Sequence, residues 1–252
     1  MEFHRLSFIN NYFFLEVDLV EMNTCKEAVP IANTISERIV KDDVLSKQYL
    51  TKPEITNYIT IFDYDDTFLP SSWISHLLQI NAPVTNEIRN QLELVDRSAS
   101  ALLQEALQYS KVIIITNAEN GWVEDSSRIF MPHFYSLLDS VKVVSARSMY
   151  ESSYPCCSTV WKKQAFRDEI DSLLSFNDYP SILSIGDSLH EREAVFAYGH
   201  ENPHSLVKSI KLIEVPSPSH LATQQDLIRN NLHTMIFSTD KLDYKLSIQS
   251  NA

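Results

Sequence analysis

Glycine is scarce in this 252-residue chain, which contains only Gly121, Gly186 and Gly199. Average usage in globular proteins would supply about 18. A dinucleotide-binding fingerprint needs three glycines within six positions, and a Walker A loop needs two glycines followed by a lysine. Neither pattern occurs in the sequence. Phosphate binding by a glycine-rich loop is therefore excluded.

Cysteine and long apolar runs are also scarce. The three cysteines, Cys25, Cys156 and Cys157, form no C-x-x-C pair, so neither a disulfide framework nor a zinc ribbon is predicted. The apolar stretch 6–15 contains two asparagines and is followed at once by acidic residues, which is too polar for a signal-peptide core. No run approaches the roughly 20 apolar residues of a membrane span. We therefore expect no membrane span and a reduced, cytoplasmic location.

Basic charge is in deficit, with 21 Lys and Arg against 33 Asp and Glu and a net charge of −12. Nonspecific binding to nucleic acid or to anionic membranes requires clustered basic residues, so we expect no nucleic-acid partner. The hydrophobic fraction of 44% is ordinary for a soluble domain. Length alone predicts one large domain or one domain with an extension. Nothing in the composition indicates the oligomeric state.

Short apolar runs that end in polar residues predict buried β-strands. They are Tyr58–Phe62, Lys111–Ile115, Val141–Val144 and Ser181–Ile185, with Val207–Val215 as a fifth candidate. Longer stretches of helical periodicity lie between or after them: Asn86–Tyr109, Trp161–Leu174 and Ser219–Phe237, the last with Ser219 as its N-cap. This alternation predicts the α/β class, with a doubly wound, Rossmann-like parallel sheet and helices on both faces.

The chain is predicted to have two parts. Residues 51–252 are expected to form the α/β catalytic domain, and residues 1–50 an N-terminal extension or small accessory segment. In the first part, the alternation of apolar and acidic residues from Leu15 to Leu19 predicts a strand. Ile31, Ile35 and Ile39 are spaced as on one side of a helix.

The segment Asp63–Thr67, which reads DYDDT, follows the first predicted strand of the catalytic domain. Three carboxylates in four positions are costly unless a cation or a substrate group offsets their charge. In an extended backbone Asp63 and Asp65 point the same way, about 6.5 Å apart, so that one could attack while the other moves a proton. A solvated acidic turn that caps a helix is an equally good reading of the segment taken alone.

A second acidic group, Asp187 and Glu191, follows another predicted strand. If a helix begins at Ser188, Glu191 lies in its first turn and points toward the end of the sheet. Asp63, Asp65, Asp187 and Glu191 would then form an all-oxygen site suited to Mg²⁺. Asp187 taken alone could instead be an ordinary N-cap.

Gly186 stands immediately before Asp187. We expect a tight turn between strand and helix there, which requires a residue without a Cβ.

Two weaker patterns could bind a phosphoryl group. Thr116 and Asn117 follow the KVIII strand, and Lys162 and Lys163 lie near the start of a predicted helix. A hydroxyl, backbone N–H groups and an ammonium are what the outer oxygens of a phosphoryl group need during transfer. Each of these residues could also be an ordinary turn or surface residue.

The order of these patterns resembles the haloacid dehalogenase (HAD) superfamily. The motif D-x-D-x-T follows one strand and Thr116 follows the next; a lysine comes after them, and the motif G-D-S-x-x-E follows a later strand. The resemblance spans about residues 58–198. It implies that Asp63 is a nucleophile forming an aspartyl-phosphate. It also implies that Asp65 protonates the leaving group, later activates water, and binds Mg²⁺ through its backbone carbonyl. Because Asp65 is present, the resemblance favours phosphatase or phosphomutase chemistry.

The same resemblance assigns roles to the other patterns. Thr116 and Lys162 would hold the phosphoryl oxygens, Asp187 would complete the metal site, and Glu191, where many members have Asp, would support it. Lys162 is preferred over Lys163 by alignment alone. The substrate would be a phosphorylated small molecule or macromolecule.

Short spacings between the motifs favour a capless or small-capped form, with room for small insertions in Pro70–Val84 and Glu119–Pro132. A partner or residues 1–50 could supply a lid instead.

Two other functions compete with a phosphatase. One is an inactive scaffold that keeps the fold for binding, although unused clustered carboxylates would only destabilise it. The other is a receiver domain, which also groups Asp, Thr and Lys around Mg²⁺. It is disfavoured because Lys162 opens a helix and Ser145, not an aspartate, ends the third strand.

Overall fold

The computed structural model describes residues 13–17, 58–175 and 178–248. All of them belong to one of the two compact units into which the chain divides. The helix expected around Ile31–Ile39 lies outside the described residues. The strand expected at Leu15–Leu19 is found at Phe13–Val17, two residues earlier.

A single seven-stranded sheet organises the described residues, in the order β1-β7-β6-β5-β2-β3-β4. Its strands are β1 (Phe13–Val17), β2 (Tyr58–Phe62), β3 (Lys111–Thr116), β4 (Lys142–Ser145), β5 (Ser181–Gly186), β6 (Leu206–Lys211) and β7 (Leu242–Ile248). Neighbours from β7 to β4 pair in parallel, and β1 joins β7 antiparallel at the edge. The predicted fold class is confirmed.

Helices cover this sheet in the alternating order that the sequence predicts. They are α1 (Ser71–Gln79), α2 (Asn86–Tyr109), α3 (Trp122–Phe130), α4 (Pro132–Tyr135), α5 (Ala146–Tyr150), α6 (Ser158–Leu173), α7 (Leu189–Glu201) and α8 (Pro218–Phe237), with a 3-10 turn at Leu138–Ser140. Among the described residues, no helix combines the length and apolar character needed to cross a bilayer.

Two apolar layers hold the helices against the sheet. One face packs on α1 to α4 and α8, around Phe62, Ile114 and Ile185. The opposite face packs on α5, α6 and α7, around Ile61 and Ile115. Successive strand residues point to opposite faces, so a strand buried on both sides reads as a continuous apolar run.

Several bounds differ from those predicted, among them the start of α6, which is Ser158 instead of Trp161, and both ends of β4, which is Lys142–Ser145 instead of Val141–Val144. The candidate strand Val207–Val215 ends at Lys211, and the chain then turns through Val215, whose φ is 51°. Helix α8 begins at Pro218, and its N-cap is Ser217, which accepts a hydrogen bond from the His220 N–H; Ser219 is therefore inside the helix. Strand β7 was not predicted.

The sheet order places the switch point at β2, which lies between β5 and β3. The chain runs outward through β3 and β4, then crosses to build β5, β6 and β7 on the other side. In open α/β sheets, ligands bind outside the carboxyl ends of the strands at such a point.

Candidate active site

Asp63 continues β2 at this switch point. Its backbone N–H donates to the Ile185 carbonyl at 2.9 Å, which extends the parallel ladder by one residue. Its side chain is buried. The carboxylate is therefore held on a rigid element at the carboxyl edge of the sheet.

Lys162 meets Asp63 from the second turn of α6. Its side chain is 0% exposed, and Nζ lies 2.6 Å from Asp63 Oδ1 and 2.9 Å from Glu191 Oε1. Nζ also donates to the Ile115 carbonyl at 2.6 Å. An ammonium has three donors and no acceptor, so all of its hydrogen-bonding capacity is used. Lys163 instead pairs with Glu193 at 3.1 Å, well away from this cluster, and of the two lysines only Lys162 reaches Asp63.

Three of the four predicted carboxylates come together around this ammonium. Oxygen atoms of Asp63, Asp187 and Glu191 all lie within 4.8 Å of one another. A set of oxygen ligands alone suits a hard divalent cation such as Mg²⁺. The site can therefore hold a metal ion, as the sequence predicts for these three residues.

The first turn of α7 positions Glu191. Ser188 caps the helix, and its N–H and Oγ donate to Glu191 Oε2 at 3.1 and 2.6 Å. This is a capping box, in which the N-cap and the third helical residue satisfy each other. The other oxygen of Glu191, Oε1, faces Lys162 and the oxygens of Asp63 and Asp187.

Gly186 makes room for Glu191. A Cβ built on Gly186 would lie 2.5 Å from the Glu191 Cγ and 2.7 Å from Oε2. Its φ does not lie in the left-handed region. The sequence analysis attributed the glycine at position 186 to a tight turn. The structure gives a steric reason instead, because the buried Glu191 side chain occupies the space that a side chain at position 186 would need.

Burial and crowding of charge shift the proton affinities in the cluster. Burial raises the pKa of Asp63 to about 7, against the opposing charge of Lys162. Burial and then the negative charges of Asp63 and Glu191 raise the pKa of Asp187 to about 8. One ammonium does not neutralise three carboxylates, so the cluster favours either protons or a further cation.

For Glu191 and Lys162, the pKa shifts favour the ionised form of each group. For Glu191, burial is outweighed by Lys162 and by the Ser188 hydroxyl, and its pKa is lowered. Burial lowers the pKa of Lys162, but the charges of Asp63 and Glu191 outweigh it and the net shift is upward. The salt bridge between Glu191 and Lys162 is therefore ionised in the absence of metal.

The Asp65 carboxylate lies apart from the other three. Its Oδ1 accepts hydrogen bonds from Ser71 Oγ at 2.5 Å and from the Trp122 indole Nε1 at 2.9 Å. Its Oδ2 accepts from Thr116 Oγ1 at 3.3 Å. The predicted pair of carboxylates pointing the same way is thus divided: Asp63 faces the lysine, and Asp65 is held by three neutral donors.

Asp66 accounts for the alternative reading of the acidic segment. Its φ is 51°, and its carboxylate accepts hydrogen bonds from the Ser72 N–H, at 3.0 Å, and from the Ser72 hydroxyl. Asp66 therefore anchors the first turn of α1. Capping a helix explains this residue, but not Asp63 or Asp65.

Thr116 and Asn117 follow β3 as expected. Thr116 is buried, and its hydroxyl accepts from the Ala118 N–H at 3.0 Å. Asn117 Nδ2 lies 3.5 Å from the Ser158 carbonyl, and its buried Oδ1 has no hydrogen-bond partner among the described residues. A bare acceptor suits a water or a ligand hydroxyl better than a phosphoryl oxygen.

Sequence reasoning missed Ser71 and Trp122 as partners of Asp65. They lie at the starts of α1 and α3, in the two segments where small insertions were considered. The one available signal was Gly121, which has φ 88° and precedes Trp122. In a chain so poor in glycine, a left-handed residue at this point marks a turn that aims the following side chain.

Lys211, the last residue of β6, contacts the backbone of Asp187 in the acidic triad. Its Nζ donates to the Asp187 carbonyl at 2.7 Å and pairs with Glu214 at 2.8 Å. This contact fixes the backbone that carries the Asp187 carboxylate. No motif in the sequence pointed to it.

Comparison with known protein families, curated proteins and solved structures finds no match. The geometry of these residues is therefore the basis on which a function is proposed.

Proposed function

We propose that the protein is a Mg²⁺-dependent phosphohydrolase of the HAD type, which cleaves phosphoric monoesters through an aspartyl-phosphate. The observation that carries this proposal is the fully buried Lys162, which contacts Asp63 at 2.6 Å beside a metal-competent triad. A lysine that holds a carboxylate in place and offsets its charge prepares that carboxylate to approach an anionic phosphoryl group.

In the first half-reaction a carboxylate oxygen of Asp63 attacks phosphorus. The bond between phosphorus and the ester oxygen breaks, and that oxygen takes a proton from Asp65 as the alcohol leaves. As the phosphoryl group enters, the Thr116 hydroxyl would exchange its hydrogen bond to Asp65, and the Lys162 ammonium one of its present contacts, for the outer phosphoryl oxygens, whose charge they offset. The product of this half-reaction is a phosphorylated Asp63.

In the second half-reaction water attacks the phosphorus of the aspartyl-phosphate. Asp65, now ionised, takes a proton from that water. The bond between phosphorus and the Asp63 oxygen breaks, releasing inorganic phosphate and restoring the carboxylate. Neutral donors, and not Lys162, hold the Asp65 side chain in position for this double role.

Asp63, Asp187 and Glu191 would hold the Mg²⁺, with Lys211 fixing the Asp187 backbone. When bound, the ion supplies Lewis-acid neutralisation of the phosphoryl charge. The substrate class is a phosphorylated small molecule or macromolecule.

The test is hydrolysis of p-nitrophenyl phosphate with and without Mg²⁺. We expect Mg²⁺-dependent turnover that Asp63→Asn abolishes, whereas Asp125→Asn, a change at an exposed aspartate on α3, leaves it unchanged. Beryllofluoride should form a stable adduct with the wild type and not with Asp63→Asn. Mg²⁺ binding without turnover on a broad phosphate panel, and without the adduct, would instead support a scaffold that keeps the fold for binding.

A further inference from the structure

A cavity lies away from the acidic cluster, between α1, α2 and the corner where α3 meets α4. Its volume is about 590 Å³, and its walls come mainly from aliphatic and aromatic side chains. None of the residues in the triad, nor Lys162, Asp65 or Thr116, lines it. We call this cavity the apolar groove.

The walls of the apolar groove are unusually exposed. Leu78, Val84 and Ile129 are 69%, 66% and 67% exposed, and all three line the groove. Single exposed apolar residues are normal, but several around one concavity mark a binding surface. The volume of about 590 Å³ is that of a small-molecule site.

The carboxylates that line the groove already have partners. Asp96 accepts from the His133 and Phe134 N–H groups at 3.0 and 2.9 Å. Glu93 pairs with Arg97 at 2.6 Å. Neither carboxylate is left to recognise a cationic ligand.

Among the charged residues that line the groove, Arg89 is the one with no partner in the described part of the chain. It stands one helical turn before Glu93 on α2, but Glu93 is engaged by Arg97. Within residues 58–175 and 178–248, the Arg89 guanidinium makes no ion pair or hydrogen bond, in a chain where 33 acidic residues outnumber 21 basic ones. An unpaired guanidinium beside an apolar cavity favours a ligand that brings its own anion.

We infer that the apolar groove binds an aliphatic carboxylate, with its hydrocarbon chain between α1 and the end of α3 and its head group on Arg89. A planar carboxylate matches the guanidinium with two parallel hydrogen bonds. The chain covers the exposed side chains Leu78, Val84 and Ile129. This site is separate from the one proposed for phosphate chemistry, and its test does not depend on turnover.

The test is displacement of a fluorescent fatty acid, dansyl-undecanoate, by decanoate and by decanol. Decanoate should compete about tenfold better than decanol, because a hydrogen bond to a charged group adds about 1.5 kcal/mol or more. Arg89→Met should remove this advantage without changing the affinity for decanol. Arg167→Met, at an arginine of α6 that pairs with Glu201 outside the groove, should leave both affinities unchanged.

The aliphatic walls are tested separately. Leu78→Glu and Ile129→Glu should abolish probe binding, whereas Leu94→Glu, at an exposed apolar residue outside the groove, should retain it. These positions are on the surface, so circular dichroism should show unchanged folding in all three variants. Absence of decanoate binding, or equal binding by Arg89→Met, would overturn the inference. A dimer that Leu78→Glu dissociates would overturn it too, by making the groove an interface between copies.

Discussion

Lys162 is the residue that couples the two ends of the proposed site. It is separated from Asp63 by 99 positions in the chain, yet it donates to both Asp63 and the Ile115 carbonyl. Removing one partner of a buried ion pair leaves an uncompensated charge, which is more costly than the pair was favourable. The lysine therefore has a structural role that can be measured apart from catalysis.

Lys162→Met should lower the free energy of unfolding by about 3 kcal/mol near pH 8 in the absence of metal. The loss should be smaller at about pH 5.5, because Asp63, whose pKa is raised to about 7, is then protonated. Denaturant titration in EDTA measures both values. Lys163→Met is the matched control, since its partner Glu193 is half-exposed, and it should change stability by less than about 0.5 kcal/mol. Equal effects of the two variants would contradict the role given to Lys162.

Trp122 is a positioning residue for Asp65, since its indole N–H donates to the carboxylate while its side chain is 39% exposed. Trp122→Phe keeps an aromatic ring but removes the donor. If Asp65 protonates the leaving group, kcat for phenyl phosphate should fall about tenfold with little change in KM. The loss should be smaller for p-nitrophenyl phosphate, whose leaving group needs less protonation. An equal loss on both substrates would indicate a purely structural role.

At the scale of elements, the site is built by the β5–α7 segment on one side and by the first turns of α1 and α3 on the other. The β5–α7 connection places Asp187 and Glu191, and Gly186 leaves space for the latter. The first residues of α1 and α3, Ser71 and Trp122, both donate hydrogen bonds to Asp65. Residues nearer the ends of the same two helices line the apolar groove. A ligand in that groove would thus contact the two helices that hold the proposed acid.

Gly186→Ala should destabilise the protein by about 2 kcal/mol, because the new Cβ overlaps the Glu191 side chain. In a Glu191→Ala background the same change should cost much less, which a double-mutant cycle of unfolding free energies would show. Gly121→Ala provides the contrast. Nothing lies within 4 Å of its Cβ position, so its cost of about 1 kcal/mol comes from the left-handed backbone and should not depend on Glu191.

At the scale of the whole molecule, the cluster links stability to pH and metal. The pKa values of Asp63 and Asp187 are raised to about 7 and about 8, so between about pH 4 and pH 8 the folded state binds more protons than the unfolded state. Stability without metal should therefore fall as the pH rises through this window. If Mg²⁺ occupies the proposed site, it would pair with the ionised carboxylates and should offset the loss.

We accordingly expect Mg²⁺ to raise Tm more at about pH 8.5 than at about pH 5.5. Asp187→Asn should make the metal-free protein more stable by about 2 kcal/mol at the higher pH, because it removes a carboxylate that is costly to ionise. The same variant should lose most of the stabilisation by Mg²⁺. Asp226→Asn, at a half-exposed position on α8, is the control. A Mg²⁺ effect that survives in Asp187→Asn would argue against the metal site.

Much of the fold was predictable because its signals are local. Each buried parallel strand is a short apolar run with a polar end, and the bounds of α2 are those predicted. Strand β7, Leu242–Ile248, was missed because it contains Asp243 and Lys245 among its apolar residues. Its assignment depends on pairing with β6 and β1, which are distant in sequence.

The sequence by itself determined the α/β class, the order of the motifs and the types of residue at each strand end, because hydrophobic periodicity and turn chemistry are properties of neighbouring positions. Tertiary structure decided which side chains meet. Lys162 and not Lys163 contacts Asp63, Asp65 meets Trp122 and not Asp63, and no carboxylate of the described ranges pairs with Arg89. Tertiary structure also gave the reason why one of the three glycines is needed. Gly186 is required by the volume of a side chain five residues away, a constraint that exists only once the helix has folded back over the end of the strand.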